Sequence, residues 1–357
     1  MESKLSKVKP SDFDAVLDGE KVGLYILKNA RGMEISATNF GGRVVELFAP
    51  DKNGAFADIV LGKETLAEYV ACKDERFLGA TIGRFGNRIA NSRFELNGKV
   101  YNLPANDGKN SLHGGFKGFD MKPWRVVGAD SRRLHMRLVS PDGDEGFPAK
   151  LTVDMVYSLD DDNNFDISYT AVSDGDTHVN LTHHSFFNLH GAGVGDINDH
   201  IMQINADFYT PIDETLIPEG SPAPVEGTPL DFRKPTRIGE RVEDDFVQLK
   251  RGNGYDHNWI INRKTKDGLE FAAEVFEPVS GRVLSVYTTE PAMQFYGGNF
   301  FRGTPGKWGK IYNRRASLAL ETQHYPDSPN RPDFPSTLLR AGEEYRHVCR
   351  YNFSVRK

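Results

Sequence analysis

The sequence predicts an all-β protein, a large antiparallel sandwich or barrel with few short helices. Three observations carry this. Glycine (35 residues), proline (19) and aromatics (11%) supply many turns and many strand formers. Short β-prone runs recur along all 357 residues. Apolar spacing of the helical kind is scarce.

In chain order, residues 23–28, 34–39 and 43–49 are the first strand-like runs. Residues 93–103 read RFELNGKVYNL, two runs joined by Asn97-Gly98. Both residue types tolerate positive φ, so this predicts a tight hairpin. Residues 150–159 and 165–172 flank the acidic turn 160–164 and predict another. Further runs follow at 271–276, 282–289, 293–296, 316–321 and 346–355. Short helices are expected at 63–70 and 238–249. No internal repeat or linker divides the chain, so one domain over residues 1–357 is expected.

Composition excludes several classes. Lys+Arg 44 against Asp+Glu 50 gives a formal charge of −6, without a basic block. That argues against phosphate-driven nucleic-acid binding. No apolar run approaches the roughly 20 residues needed to cross a bilayer, so no membrane partner is expected. The N-terminus, MESKLSKVKPSDFD, lacks a signal-peptide core. Cys72 and Cys349 make neither a disulfide framework nor a CxxC site. A cytoplasmic setting is expected. The Gly191-Ala-Gly193-Val-Gly195 run lacks dinucleotide spacing, and Asp142–Gly146 is too short for a calcium loop. The ten histidines show no metal spacing.

Chemistry concentrates in a few segments. VNLTHHSFFNL, residues 179–189, read as a strand, places Asn180, Thr182, His184, Phe186 and Asn188 on one face. That face is polar with an aromatic, as a sugar-binding surface would be, and it turns His183 inward. The alternative is a pair of structural histidines. Glu321 ends an apolar run in SLALETQHYPDSPN; partial burial would make it a stronger base, and a surface ion pair is the plainer alternative. GRFGNRIANSRF, residues 83–94, presents Arg84, Arg88 and Arg93 to oxygen-rich ligands, or is a solvated loop. NSLHGG sets glycines beside His113, for close approach to a ligand or for a turn. GYDHNW and MQFYGGN carry Asp256 and Gln294.

Together these motifs resemble the aldose 1-epimerases (galactose mutarotases). GR-x-x-NRI-A, NSLHGG, NLT-x-HS-x-FNL, xDHN, QFY-x-GN and LETQ-x-x-PD occur in order between about Asn39 and Val355. The resemblance implies a large antiparallel β-sandwich of the galactose mutarotase type, with the sugar in an open cleft. It implies His184 as general acid and Glu321 as general base. It places Asn87, Arg88, His113, Asp256 and Gln294 on the sugar, with Ser185 and Phe186 also lining the site. Two positions depart: the family commonly has Asn where His183 stands and Tyr where Phe186 stands.

The implied reaction opens a cyclic hemiacetal. A base takes the C1 hydroxyl proton, an acid protonates the ring oxygen, and the ring recloses on the other carbonyl face. No electron or group leaves, so no cofactor, nucleotide, phosphate or metal is expected. The expected partner is a small-molecule sugar, and the chain is expected to be a monomer or weak homodimer. Asp256 is expected to keep His184 protonated, with Glu321 governing the acid limb of a pH profile and His184 the alkaline limb. Two other functions fit less well: a sugar-binding sandwich without catalysis, and a hexose-phosphate 1-epimerase using Arg84 or Arg93 beside Arg88.

Overall fold

The computed structural model describes residues 5–73 and 75–357. Its longest strands show the period-two pleat. Leu151–Leu159 and Asn164–Ser173 bury alternate side chains, and Glu344–Val355 does so through its middle. They are neighbours in a nine-stranded antiparallel sheet. Its order is Arg125–Ala129, Arg133–Ser140, Leu151–Leu159, Asn164–Ser173, Glu344–Val355, Arg282–Thr288, Glu270–Phe276, Ile201–Ile204 and Thr236–Arg237. One face meets solvent and the other meets the core.

A six-stranded antiparallel sheet lies across that core. Its order is Phe186–Phe187, Leu318–Gln323, Ala292–Tyr296, Asp256–Ile261, Ala206–Thr210 and Ala223–Pro224. Leu318, Leu320, Met293, Phe295 and Trp259 from this sheet share one apolar cluster with Met155, Ile167, Tyr351 and Phe353 of the larger sheet. The architecture is therefore a β-sandwich. The smaller sheet differs from the larger in one respect: Leu318–Gln323 and Ala292–Tyr296 are buried throughout, on both faces. Its outer face carries Glu321, Gln294, Tyr296 and Asp256, and burying such groups is costly without partners. Loops cover them and make a floor.

Most predicted strands form within a residue or two of their expected ends. Arg93–Leu96 and Lys99–Asn102 pair around Asn97 (φ 53°) and Gly98 (φ 75°), the hairpin that Asn-Gly foretells. Leu66–Ala71 is a helix closed by a Thr65/Glu68 capping box. The helix expected over 238–249 does not form. Ile238–Glu240 is a 3-10 turn and only Val247–Arg251 is α-helical. Between them, Arg241 stacks on Phe232 and donates to the Asp231 carbonyl, and three consecutive acids follow at 243–245. That anchor, and repulsion among the acids, favour a turn.

The single strand expected over 179–189 is also divided. Thr182–His184 pairs with Ala80–Ile82, and Phe186–Phe187 pairs with Leu318 and Ala319. The chain changes partner at Ser185. Among the described residues no helix is long and apolar enough to cross a membrane.

Candidate active site

Sheet register assembles the site. Gln294 lies opposite Glu321 on one side and Asn258 on the other. Asp256 lies opposite Tyr296, and Phe186 opposite Ala319. Directly opposed residues share a face, as do residues two apart in one strand. Extending the Phe186–Ala319 pairing by two residues brings His184 beside Glu321. His184 Nε2 is 3.4 Å from Glu321 Oε1. Both are buried, and among the described residues neither His184 Nδ1 nor Glu321 Oε2 has a hydrogen-bond partner. The imidazole stacks on Phe186 (4.6 Å between centroids) and on Phe77 (5.9 Å).

The loops around NRI and NSLHGG supply the next groups. The His113 N–H donates to the Asn87 carbonyl, and the Asn87 N–H donates in turn to His113 Nδ1, each at 3.0 Å. Both residues have positive φ, 64° and 51°, which asparagine tolerates well and histidine less so. The close approach that Gly114 permits is to the Gly83 and Arg84 backbone: a Cβ there would stand 2.0 Å from the Gly83 carbonyl oxygen. Arg88 Nε donates to Asp107 Oδ2 at 2.7 Å, and Gln294 Nε2 donates to Asp256 Oδ1 at 2.7 Å.

Above this floor opens a cleft of about 730 Å³. Of the nine expected site residues, His184, Glu321, Asn87, Arg88, His113 and Asp256 line it. Ser185, Phe186 and Gln294 do not. Ser185 points inward, where its hydroxyl meets His183 Nδ1 at 3.2 Å. Phe186 lies fully buried against the His184 ring, and Gln294 stands behind Asp256. Two of the polar residues expected to face sugar tie backbones instead. Asn180 binds the Gly86 carbonyl and the His324 N–H, and Asn188 binds the Ala316 carbonyl.

Glu75, Phe77, Asp107, Tyr296 and Phe300 also line the cleft, and residue-by-residue reading passed over them. Tyr296 was within reach, because it stands two positions after Gln294 and so shares its face. Its hydroxyl donates to Glu75 Oε1 at 2.8 Å. The loop that brings Glu75 and Phe77 has no periodic signal.

Burial sets the electrostatics. It pushes Glu321 well above the usual carboxylate range; the Asp256 charge adds to this and Arg88 opposes it. It pushes His184 down to about 3. It lowers His113 as well, assisted by His184 and Arg88. Asp256 is itself raised by burial, against Arg88 and Gln294. So Asp256 does not hold His184 protonated. Burial sets the order opposite to the one expected, with the imidazole lowered and the carboxyl raised.

His113, His184 and Glu321 offer ligand atoms within 4.8 Å of one another. The donor chemistry does not suit a metal. The Asn87 N–H occupies the lone pair of His113 Nδ1, so the neutral ring carries its proton on Nε2. A ligating histidine instead donates from its second nitrogen to an acceptor. Here His113 offers an N–H, suited to a hydroxyl or a developing oxyanion.

Arg84 belongs to no anion pocket. Its guanidinium donates to the Pro148, Ala149 and Pro141 carbonyls and to Ser140 Oγ, all buried or half-buried. Arg93 is exposed and lies outside the cleft.

Fold and site define a class: an antiparallel β-sandwich whose smaller sheet floors a polar cleft with a paired imidazole and carboxylate. Residues 23–352 match the family model described as aldose 1-epimerase, and the chain belongs to that family of isomerases. It is 44% identical over 326 residues to the galactose mutarotase of Rattus norvegicus, covering 90% of this chain and 92% of that one. It is 40% identical over 341 residues to the aldose 1-epimerase of Escherichia coli K12, covering 94% and 96%. A solved aldose epimerase homologue from C. elegans superposes with a TM-score of 0.87 at 30% identity, covering 94% of this chain and all of that one.

Proposed function

We propose that this enzyme interconverts the α and β anomers of free aldohexoses, galactose and glucose among them, with Glu321 as base and His184 as acid. The observation that carries this reading is the 3.4 Å approach of His184 Nε2 to Glu321 Oε1 at the cleft floor. The sugar sits with its C1 hydroxyl on Glu321 and its ring oxygen on His184. Glu321 takes the hydroxyl proton, the C1 carbonyl forms, the C1–O5 bond breaks, and O5 takes the proton from His184. The open chain then stands beside a protonated Glu321 and a neutral His184. Rotation about C1–C2 by about half a turn and the reverse transfers give the other anomer.

The pair holds one proton throughout. Low-dielectric surroundings favour its neutral form, Glu321 protonated and His184 neutral. That form stands beside the open chain; ring opening starts when the shared proton is on His184 and Glu321 is ionised. His113 Nε2–H, Arg88, Asn87 and Asp256 hold the sugar hydroxyls and contribute orientation. Gln294 acts by fixing Asp256. Residues 1–357 act as one catalytic unit, a reading supported by an apolar cluster that draws on both sheets with members from Leu27 to Phe353.

Polarimetry on freshly dissolved α-galactose and α-glucose tests the reading. The expected result is faster approach to anomeric equilibrium in proportion to enzyme added. An unchanged rate overturns it.

A further inference from the structure

We propose that His347, which lies outside the cleft, is a positioning residue that sets the gap between Glu321 and His184. It stands on Glu344–Val355 of the nine-stranded sheet, with its side chain buried in the sandwich interior. Its Nδ1 is 3.1 Å from the Leu181 carbonyl oxygen and its Nε2 is 2.9 Å from Thr322 Oγ1. A carbonyl only accepts, so Nδ1 carries the proton and Nε2 accepts from the Thr322 hydroxyl. The ring is neutral and both nitrogens are engaged.

The two partners are adjacent to the reacting groups in sequence. Thr322 follows Glu321 in Leu318–Gln323 and faces the opposite side of that strand. Leu181 immediately precedes the paired segment Thr182–His184. The Leu181 peptide groups therefore lack a strand partner, and the larger sheet provides both: His347 for the carbonyl, and the Tyr345 hydroxyl for the N–H at 3.2 Å. Two tyrosines of the same sheet tie one strand each, Tyr169 to the Thr182 carbonyl and Tyr351 to the Leu320 carbonyl. His347 reaches both strands with one rigid ring.

The consequence is geometric. The C1 hydroxyl and ring oxygen are fixed by the sugar itself, so acid and base must stand at a matching separation. A misplacement of about 1 Å costs on the order of 100-fold in rate. The span from Leu181 through the imidazole to Thr322 fixes that separation from the core side, where no substrate contact intervenes.

The inference rests on the proposed acid–base pair, and its test has two readouts. Thr322→Val keeps the shape and removes only the link to the Glu321 strand. It is expected to lower kcat about 10-fold with KM within about twofold, measured well below its melting temperature. A crystal structure of Thr322→Val is expected to show the His184–Glu321 distance changed by about 0.5 to 1 Å. His347→Gln retains one donor and one acceptor and is expected to keep several-fold more activity than His347→Phe. An unchanged distance in Thr322→Val overturns the inference, whether or not the parent enzyme turns over galactose. So does a lowered melting temperature with unchanged kcat, which would mark His347 as structural only. Absence of mutarotation in the parent counts against the proposed function alone.

Discussion

Glu321 Oε1 and His184 Nε2 stand 3.4 Å apart because Phe186 pairs with Ala319: two residues further along each strand, the pairing brings the imidazole and the carboxylate onto one face. The pair is thus placed by backbone hydrogen bonds, which do not depend on either side chain.

Removing either member should therefore abolish turnover and spare the fold. Glu321→Gln and His184→Ala are each expected to lose about 100- to 10,000-fold in kcat/KM by polarimetry. The double variant is expected to lose little more than the worse single one, because the two groups act as a unit. Circular dichroism should show intact structure in all three. Unfolding of Glu321→Gln would move that residue to a structural role.

The pH profile follows from the direction of the two shifts. With Glu321 raised and His184 lowered to about 3, the pair keeps one proton between the two values. Activity falls on the acid side when His184 gains a second proton and on the alkaline side when Glu321 loses the shared one. The expected kcat/KM is flat within about twofold from about pH 5 to about pH 7. A steep fall over that interval would mean an imidazole titrating near its ordinary value beside an ionised carboxylate.

Arg84 should behave as a structural residue. Arg84→Met strands several buried carbonyls and is expected to cost about 3 kcal/mol or more in urea unfolding. The ratio of kcat/KM for glucose over glucose 6-phosphate should not change. Selective loss of glucose 6-phosphate turnover would contradict this and place Arg84 in a phosphate site.

Glu290 and His324 should make stability depend on pH. Their Nδ1–Oε2 contact is 2.5 Å. Burial alone would lower His324, but the Glu290 charge and hydrogen bond prevail and its pKa is raised. Burial would raise Glu290, but the His324 charge and hydrogen bond leave it lowered. The His324 contribution is complete below about 6.5 and is lost as pH rises through the raised value. The Glu290 contribution is complete above about 4.3 and is lost as pH falls through the lowered value. The pair thus stabilises most between those limits. His324→Gln is expected to lose more unfolding free energy at about pH 5.5 than at about pH 9. Equal losses at both would show that the ion pair contributes nothing.

Much of this was legible in the sequence. Asn97-Gly98 determined a hairpin, because two successive residues that accept positive φ match the twist of the flanking strands. Alternation determined that His184 and His183 face opposite ways, since the pleat has a period of two. The motifs around Asn87, His113, Asp256 and Glu321 marked the residues that converge. The sandwich was legible only through family resemblance, because local patterning does not distinguish one closed sheet from two packed ones.

Tertiary structure alone decided the rest. Whether Arg84 meets a ligand or three backbone carbonyls and a serine hydroxyl depends on loops more than 50 positions away in the chain. Glu75 and Phe77 reach the cleft by a loop without periodicity. The proton arrangement of His184 and Glu321 follows from desolvation, a property of every atom packed around them and of no residue in either strand. Sequence carries local conformational preference and the identity of the reacting groups; dielectric surroundings and long-range contacts arise only when distant segments close over one another.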